Sequence, residues 1–236
     1  MCVDAFQETL VDELGNKTAF TIPLLGGIPV SESVVVSWIV MAVLVILSLV
    51  LTRRLSVRNP GKVQVALESG VQFFNGFLKG NLGSHWRPFV PWLGTVALYI
   101  ALSNIIGIFG LTPPTKDINV TAALALMSML LIYGAQFRYN GPLGGLKKFA
   151  EPMPLLIPIN LMEVAVRPLA LCMRLFGNIL GAFIIMEMLK FVVPAVVPAV
   201  FSLYFDLFDG LIQTVVFVFL TTLFTGEGIK EEDSPN

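Results

Sequence analysis

The sequence predicts an all-α polytopic membrane protein, and its composition and charge pattern lead to that fold class. Of 236 residues, 56% are hydrophobic and only 13% are charged, and the mean hydropathy is +0.82. An average soluble domain is about one-quarter charged, so a water-soluble globule of this composition could not cover its apolar surface. The composition therefore excludes a soluble enzyme, a disordered chain and, at a net charge of −1, a nucleic-acid-binding protein.

Residues 1–32 are predicted to form an extracytoplasmic N-terminal segment that precedes a single integral membrane domain, residues 33–236. The segment is acidic where a signal peptide is basic, so no cleaved leader is expected. Residues 34–52 follow with 19 uncharged positions, enough to cross a hydrocarbon core of ~30 Å at 1.5 Å per residue. This is the first predicted span.

The middle of the chain predicts one interfacial helix and two further spans. Residues 61–83 mix polar and apolar positions at helical spacing, which is typical of an amphipathic helix lying on the membrane surface. Residues 90–111 and 120–137 are again long and apolar, and each predicts a crossing. Asp117, between them, is predicted to be a loop or helix-cap residue rather than part of a channel mouth, and 138–154 is predicted to be a Gly/Pro-punctuated loop.

The last two apolar segments are too long for upright helices. Residues 155–190 would measure ~54 Å as one helix, against a hydrocarbon thickness of ~30 Å. Either this segment is steeply inclined, or Pro158 and Pro168 break it. With residues 199–224 it predicts a tilted intramembrane hairpin, followed by a cytoplasmic tail at 225–236.

The distribution of basic residues predicts the orientation. With the N-terminus outside, five crossings leave the C-terminus inside, ten of the 15 Lys and Arg fall on the inner side and three on the outer side. This asymmetry agrees with the positive-inside rule. It places residue 155 at the inner end of the first long segment and Lys190 at its outer end.

The hairpin contains the charges that carry the functional argument, because a charge in the hydrocarbon needs a partner, water or a function. These residues are Glu163, Arg167, Arg174, Glu187, Asp206 and Asp209. Glu163 and Arg167 are spaced for an internal pair, which is either structural or part of a channel lining. Arg174 has no carboxylate three or four residues away. It is therefore an unpaired cation near the middle of the segment.

Helical spacing groups the remaining polar residues around Arg174. Asn178 and Gly181 share a face with Arg174, within about 60°, and Gly177 with Gly181 forms a small-xxx-small pair for close helix approach. Asp206, Asp209 and Gln213 share one face of the last segment. Glu187, Asp206 and Asp209 are expected in the outer half of the membrane, and Glu163 with Arg167 in the inner half. Two offset polar zones separated by one cation suit two half-channels better than one continuous pore.

The residues Arg167-Pro168 and the run MRLFGNILG over 173–181 resemble subunit a of the membrane sector of bacterial F-type ATP synthases. Asn104, the run DINVT over 117–121 and the late Gln213 resemble the same family, and the likeness covers about residues 91–225. It implies an ion-translocating stator subunit that is not itself an enzyme. A ring of c subunits would rotate against it, with a peripheral-stalk b subunit, other synthase subunits and lipid as further partners.

The resemblance also implies residue roles. Arg174 matches the essential arginine that faces the ring carboxylates, and Asn178 and Gln213 match polar residues near it. The pattern departs at Phe183, where many relatives have a glutamate, so that Glu187, Asp206 and Asp209 are expected to serve the outer half-channel. The coupling ion is H⁺ or Na⁺.

Other interpretations remain open at this stage. A secondary transporter that binds a small anion at Arg174 is the alternative function, although the chain shows no inverted repeat. A snorkelling arginine, or outer acids that are merely solvated, would remove the channel argument. One histidine and two cysteines, Cys2 and Cys172, give no metal-ligand spacing, and no cofactor is expected.

Overall fold

The computed structural model describes residues 18–22, 28–53, 55–56, 60–109, 111–147, 157–192, 201 and 203–229. Most of the predicted N-terminal segment, the turn at 193–200 and the end of the tail lie outside this part. The described chain is helical apart from one short β-hairpin, in which β1 (Thr18–Ile22) pairs antiparallel with β2 (Ile28–Ser31). The sequence did not predict this hairpin.

Six α-helices follow the hairpin in the part of the chain that the structure describes. They are α1 (Glu32–Thr52), α2 (Lys62–Leu82), α3 (Val90–Ile105), α4 (Ile118–Lys147), α5 (Ile157–Val192) and α6 (Gly210–Ile229). Five described helical stretches are long and apolar enough to cross a membrane, and α2 is not among them. The all-α polytopic fold with five crossings and one amphipathic helix is therefore confirmed.

The last helix, α6, lies at the centre of the packing, where it contacts α2, α3, α4 and α5. One buried apolar cluster joins four helices through residues such as Ile100, Leu124, Leu171 and Phe217. A second cluster joins α2 to the end of α6 through Leu78 and other residues. The last helix of the described residues therefore holds the bundle together.

Buried threonines make α6 compatible with an apolar environment. Thr214, Thr221, Thr222 and Thr225 are buried, and each hydroxyl donates a hydrogen bond to the carbonyl four residues earlier at 2.7–2.9 Å. A hydroxyl without a partner in hydrocarbon destabilises the fold, and this back-bonding satisfies it within the same helix. These four threonines thus pack without needing partners on neighbouring helices.

The sequence left open whether α5 is one inclined helix or is broken at Pro158 and Pro168, and the structure answers this. It runs for 36 residues and contains Pro168, and Pro158 lies in its first turn, where a missing N–H has no helical partner. The helix is therefore not broken into two, and at ~1.5 Å per residue it is about 54 Å long. A helix of this length either inclines steeply or extends beyond the hydrocarbon core.

Two helices extend beyond their predicted ends. Residues 138–147 belong to α4 rather than to a loop, although Gly141 interrupts the helix with a φ of 71°. Pro142 follows this break as the first residue of the resumed helix, a position that proline favours. At the other end of the chain, α6 runs to Ile229, past the predicted boundary at 224.

Gly210 marks the closest approach between α3 and α6. A Cβ at this position would lie 2.6 Å from Asn104 Cβ, and Asn104 Nδ2 donates a 3.0 Å hydrogen bond to the Gly210 carbonyl. Gly134 on α4 has, by contrast, no other described atom within 4 Å of its Cβ position. The two glycines form a matched pair for testing this contact.

We expect Gly210→Ala to lower the free energy of unfolding by about 1–3 kcal/mol, because overpacking separates the two helices and weakens the Asn104 hydrogen bond. Gly134→Ala is expected to be neutral or stabilising, because alanine favours the helix and meets open space. Thermal unfolding of the purified protein in detergent measures both. Equal unfolding temperatures for the two variants would contradict this packing.

Candidate functional site

Arg174 projects from the open face of α5. Its neighbours Leu171 and Leu175 are buried at 1% and 0% exposure, whereas Met173 and Arg174 are exposed. Among the described residues, Arg174 makes no hydrogen bond and no ion pair. A guanidinium is not stable against lipid tails, so this face must meet water or the polar surface of another protein.

The helix surface beside Arg174 is flat and unoccupied. No other described atom lies within 4 Å of a Cβ placed on Gly177 or Gly181. The small-xxx-small pair therefore serves no helix contact within the described part of this chain. The predicted close approach at these glycines stays a prediction for a separate partner.

Asn178 links α5 to the segment before α6. Its Nδ2 donates a 2.7 Å hydrogen bond to Asp209 Oδ2, and the pair is partly buried. Asp209 ends a π-helical stretch, Leu203–Asp209, that leads directly into α6. The wider turn of a π-helix is often found at functional sites. The structure therefore brings together two residues that the sequence placed on separate segments.

Gln213 is buried in the bundle at 6% exposure. Its side-chain nitrogen Nε2 has no hydrogen-bond partner among the described residues. A buried amide donor without a partner destabilises the fold by about 1–3 kcal/mol, so its presence here asks for a ligand or water. The side-chain NH₂ group of Gln213 is therefore available to a ligand or water, and the predicted polar role of this residue stays a prediction.

Arg167 forms a cluster of charges toward the start of α5. Its Nη2 contacts Glu163 Oε2 at 2.6 Å and Glu227 Oε2 at 3.2 Å, and its guanidinium lies 4.8 Å from the centre of the Phe224 ring. The predicted Glu163–Arg167 pair is thus present. Because all three charged side chains are partly exposed, the cluster is accessible from outside the described chain.

Glu227 is the residue of this cluster that sequence analysis missed, because the predicted last span ended at 224. A last span predicted to continue as far as Glu227 would have shown its spacing from Gln213. Glu227 follows Gln213 by 14 residues, which places the two within about 40° on one helical face. The cluster now joins the beginning of α5 to the end of α6.

The turn between α3 and α4 is held by buried polar contacts. Asp117 Oδ1 accepts hydrogen bonds from the Asn119 backbone N–H at 2.9 Å and from its side chain at 3.0 Å, and Ser31 donates to Oδ2 at 3.4 Å. Thr115 donates to Asn104 Oδ1 at 3.1 Å. Asp117 therefore caps α4 and ties it to the β-hairpin, as the cap prediction required.

Lys116, in the same turn, reaches the position where the family pattern has a glutamate. Its Nζ lies 3.5 Å from the centre of the Phe183 ring. An ammonium ion over an aromatic face is attracted by the ring quadrupole. Sequence spacing does not connect these two residues, since 67 positions separate them.

The remaining acids of the predicted outer zone are less fully placed. The backbones of Glu187 and Asp206 lie in α5 and in the π-helical stretch, respectively, but their side chains lie outside the described part of the structure. Their predicted role stays a prediction.

Comparison with known proteins shows which family this chain is similar to. Residues 34–226 match the family model described as ATP synthase A chain. The chain is 31% identical over 212 residues to "ATP synthase subunit a 1" of Hahella chejuensis (strain KCTC 2396), covering 88% of each protein. It is 34% identical over 201 residues to "ATP synthase subunit a" of Moorella thermoacetica (strain ATCC 39073 / JCM 9320), covering 85% of this chain and 91% of that relative.

The charge cluster predicts a characteristic pattern of stability changes. Both carboxylates contact the same nitrogen, so their oxygens lie less than about 6 Å apart and repel once the cation is removed. Arg167→Ala is therefore expected to lower the unfolding temperature more than Glu227→Gln does. Because the groups are partly exposed, we expect the effect of Glu227→Gln to be below about 1 kcal/mol.

Adding Glu227→Gln to Arg167→Ala should recover part of the loss, since it removes one of the repelling charges. Thermal unfolding in detergent of the two single variants and the double variant measures this coupling. Strictly additive effects would show that the three charges do not interact.

Proposed function

The chain belongs to the ATP synthase A chain family, and we propose that Arg174 is the fixed charge through which it couples ion flow to rotation. In this family the protein is the non-catalytic, ion-translocating stator subunit of the F-type ATP synthase membrane sector, and it acts with the other subunits of that complex. It is a multi-pass membrane protein. The alternative of an anion transporter is not supported by these relatives.

The observation that carries the proposal is an exposed arginine on a membrane helix, without an ion pair among the described residues. Such a charge is tolerated if a mobile partner supplies the opposite charge. An arriving carboxylate is held ionised beside the guanidinium and releases its ion. Arginine suits this role because a guanidinium stays charged in proteins, so it does not pass the proton on.

Two polar zones flank Arg174 along α5. The Arg167 cluster lies seven residues toward the inner end, or about 10 Å along the helix, and Asn178 lies four residues toward the outer end, or about 6 Å. We assign Glu163, Arg167 and the added Glu227 to the inner half-channel. We assign Glu187 and Asp206 to the outer half-channel, with Asn178, Asp209 and Gln213 beside it.

The open face of α5 suits a ring of c subunits as the moving partner. Gly177 and Gly181 leave room for a helix to approach the plane of Arg174, and nothing in the described chain occupies that space. A ring of small hairpin subunits, each with one ion-binding carboxylate, presents such a surface. A peripheral-stalk b subunit is proposed as a second partner, without a contact site assigned to it.

The orientation follows from the distribution of Lys and Arg. We place the N-terminus outside and the C-terminus in the cytoplasm of a bacterial cell, because ten basic residues then fall on the inner side. The Arg167 cluster opens inward and the Asn178 side outward. Ions that move from outside to inside thus meet Asp206 and Glu187 before the ring, and the Arg167 cluster after it.

We expect Arg174→Ala to abolish ATP synthesis driven by an imposed ion gradient in vesicles that contain the whole complex. Arg174→Lys is expected to lose most of the activity as well, because a desolvated lysine can give up its proton. Arg53→Ala, at the end of α1, removes an arginine outside both polar zones and serves as the control. Near-normal synthesis by Arg174→Ala would refute the proposed mechanism.

Asp206→Asn and Glu187→Gln are each expected to slow ATP-driven ion uptake while the purified complex keeps its normal composition. The physical reason is that an amide cannot bind and release a proton in the working pH range. Uptake is measured with a pH-sensitive dye, with and without sodium, which also identifies the coupling ion. Unchanged uptake for either variant would remove that residue from the ion path.

A further inference from the structure

The hydrogen bond between Asn178 and Asp209 fixes the direction of the Asn178 amide. A carboxylate only accepts hydrogen bonds, so the amide must present its NH₂ group to Asp209 Oδ2, at 2.7 Å. The amide carbonyl oxygen Oδ1 then points away from Asp209. The chemistry of the pair thus determines which atom of the amide, nitrogen or oxygen, faces Asp209.

Asn178 also stands one helical turn from Arg174, on the same face of α5. Residues four apart on a helix are neighbours, with Cβ atoms about 5–6 Å apart. Asn178 therefore lies next to both the Arg174 cation and the Asp209 carboxylate. It is a neutral residue placed between opposite charges.

The two charges do not pair with each other. Asp209 bonds to Asn178, while Arg174 makes no ion pair among the described residues and its side chain is exposed. A direct Arg174–Asp209 pair would neutralise the cation and compete with any carboxylate that arrives from a partner. The amide between them satisfies Asp209 and leaves the arginine available.

We propose that Asp209 is a positioning residue that acts through Asn178: it locks the amide in place, and the amide keeps the Asp209 charge from capturing Arg174. This inference rests on the proposed function of Arg174 and deepens it. It also gives Asp209 a different role from the proton relay that was predicted from the sequence. In the locked arrangement its carboxylate serves as a hydrogen-bond acceptor.

A pair of substitutions at 209 separates positioning from relay. Asp209→Asn can still accept the Asn178 hydrogen bond through its own amide oxygen, but it cannot carry a proton. Asp209→Leu removes the acceptor and keeps a similar size. We expect ion uptake by the whole complex to stay within about twofold of normal for Asp209→Asn and to fall about tenfold for Asp209→Leu. Equal losses in both variants would overturn the proposal in favour of relay, and full activity of both would overturn it as well.

Exchanging the two residues tests the insulating role of the neutral amide. Asn178→Asp alone places two carboxylates together and is expected to reduce both the yield of complex and ion uptake. The double variant Asn178→Asp, Asp209→Asn restores one amide–carboxylate hydrogen bond, so the yield should recover. Uptake should nevertheless stay low, because the new carboxylate sits one turn from Arg174 and pairs with it. Recovery of uptake together with yield would show that the contact is only structural.

The same vesicles distinguish failure of this inference from failure of the proposed function. If unsubstituted complex takes up ions and Arg174→Ala does not, the premise holds and the variants at 178 and 209 decide the inference alone. If Arg174→Ala takes up ions normally, the premise itself fails. Assembly is followed by the amount and composition of complex purified in mild detergent.

Discussion

The structure depends on the high free energy of an unpaired charge in an apolar environment. Several described polar groups of the membrane helices are satisfied by a partner close by. Arg167 has two carboxylates, Asp209 has an amide, and the α6 threonines bond to their own helix. Among the described charged residues of α5 and α6, Arg174 is the one without such a partner, and it lies exposed on an open helix face.

The same constraint explains why α6 is the centre of the bundle. Its buried hydroxyls are satisfied internally, so the helix packs against four neighbours without requiring polar groups from them. Close packing at Gly210 then sets its distance from α3, and the Glu227–Arg167 contact joins its far end to α5. A helix fixed at both ends holds Gln213 and Asp209 at defined positions beside α5. Such rigidity is what a stator requires when the partner rotates.

The polar residues along α5 differ in their charge and in the partners that they contact. The Arg167 cluster has one cation and two carboxylates, Arg174 has no ion pair among the described residues, and the Asn178 contact pairs a neutral amide with a carboxylate. Three arrangements of the same few side-chain types give three different electrostatic environments within about four helical turns.

The sequence by itself determined the class of protein, the number of crossings and the residues that carry charge into the membrane. Composition and run length are enough for this, because a bilayer imposes its thickness and its intolerance of charge on any chain. Helical periodicity also identified the Glu163–Arg167 pair, since residues four apart on a helix are neighbours wherever the helix lies. Tertiary structure alone decided which helices meet. It showed that α5 continues through Pro168, that Glu227 completes the Arg167 cluster, and that Asn178 bonds to Asp209 across 31 positions. Such contacts depend on how helices cross, and periodicity along one helix carries no information about its neighbour.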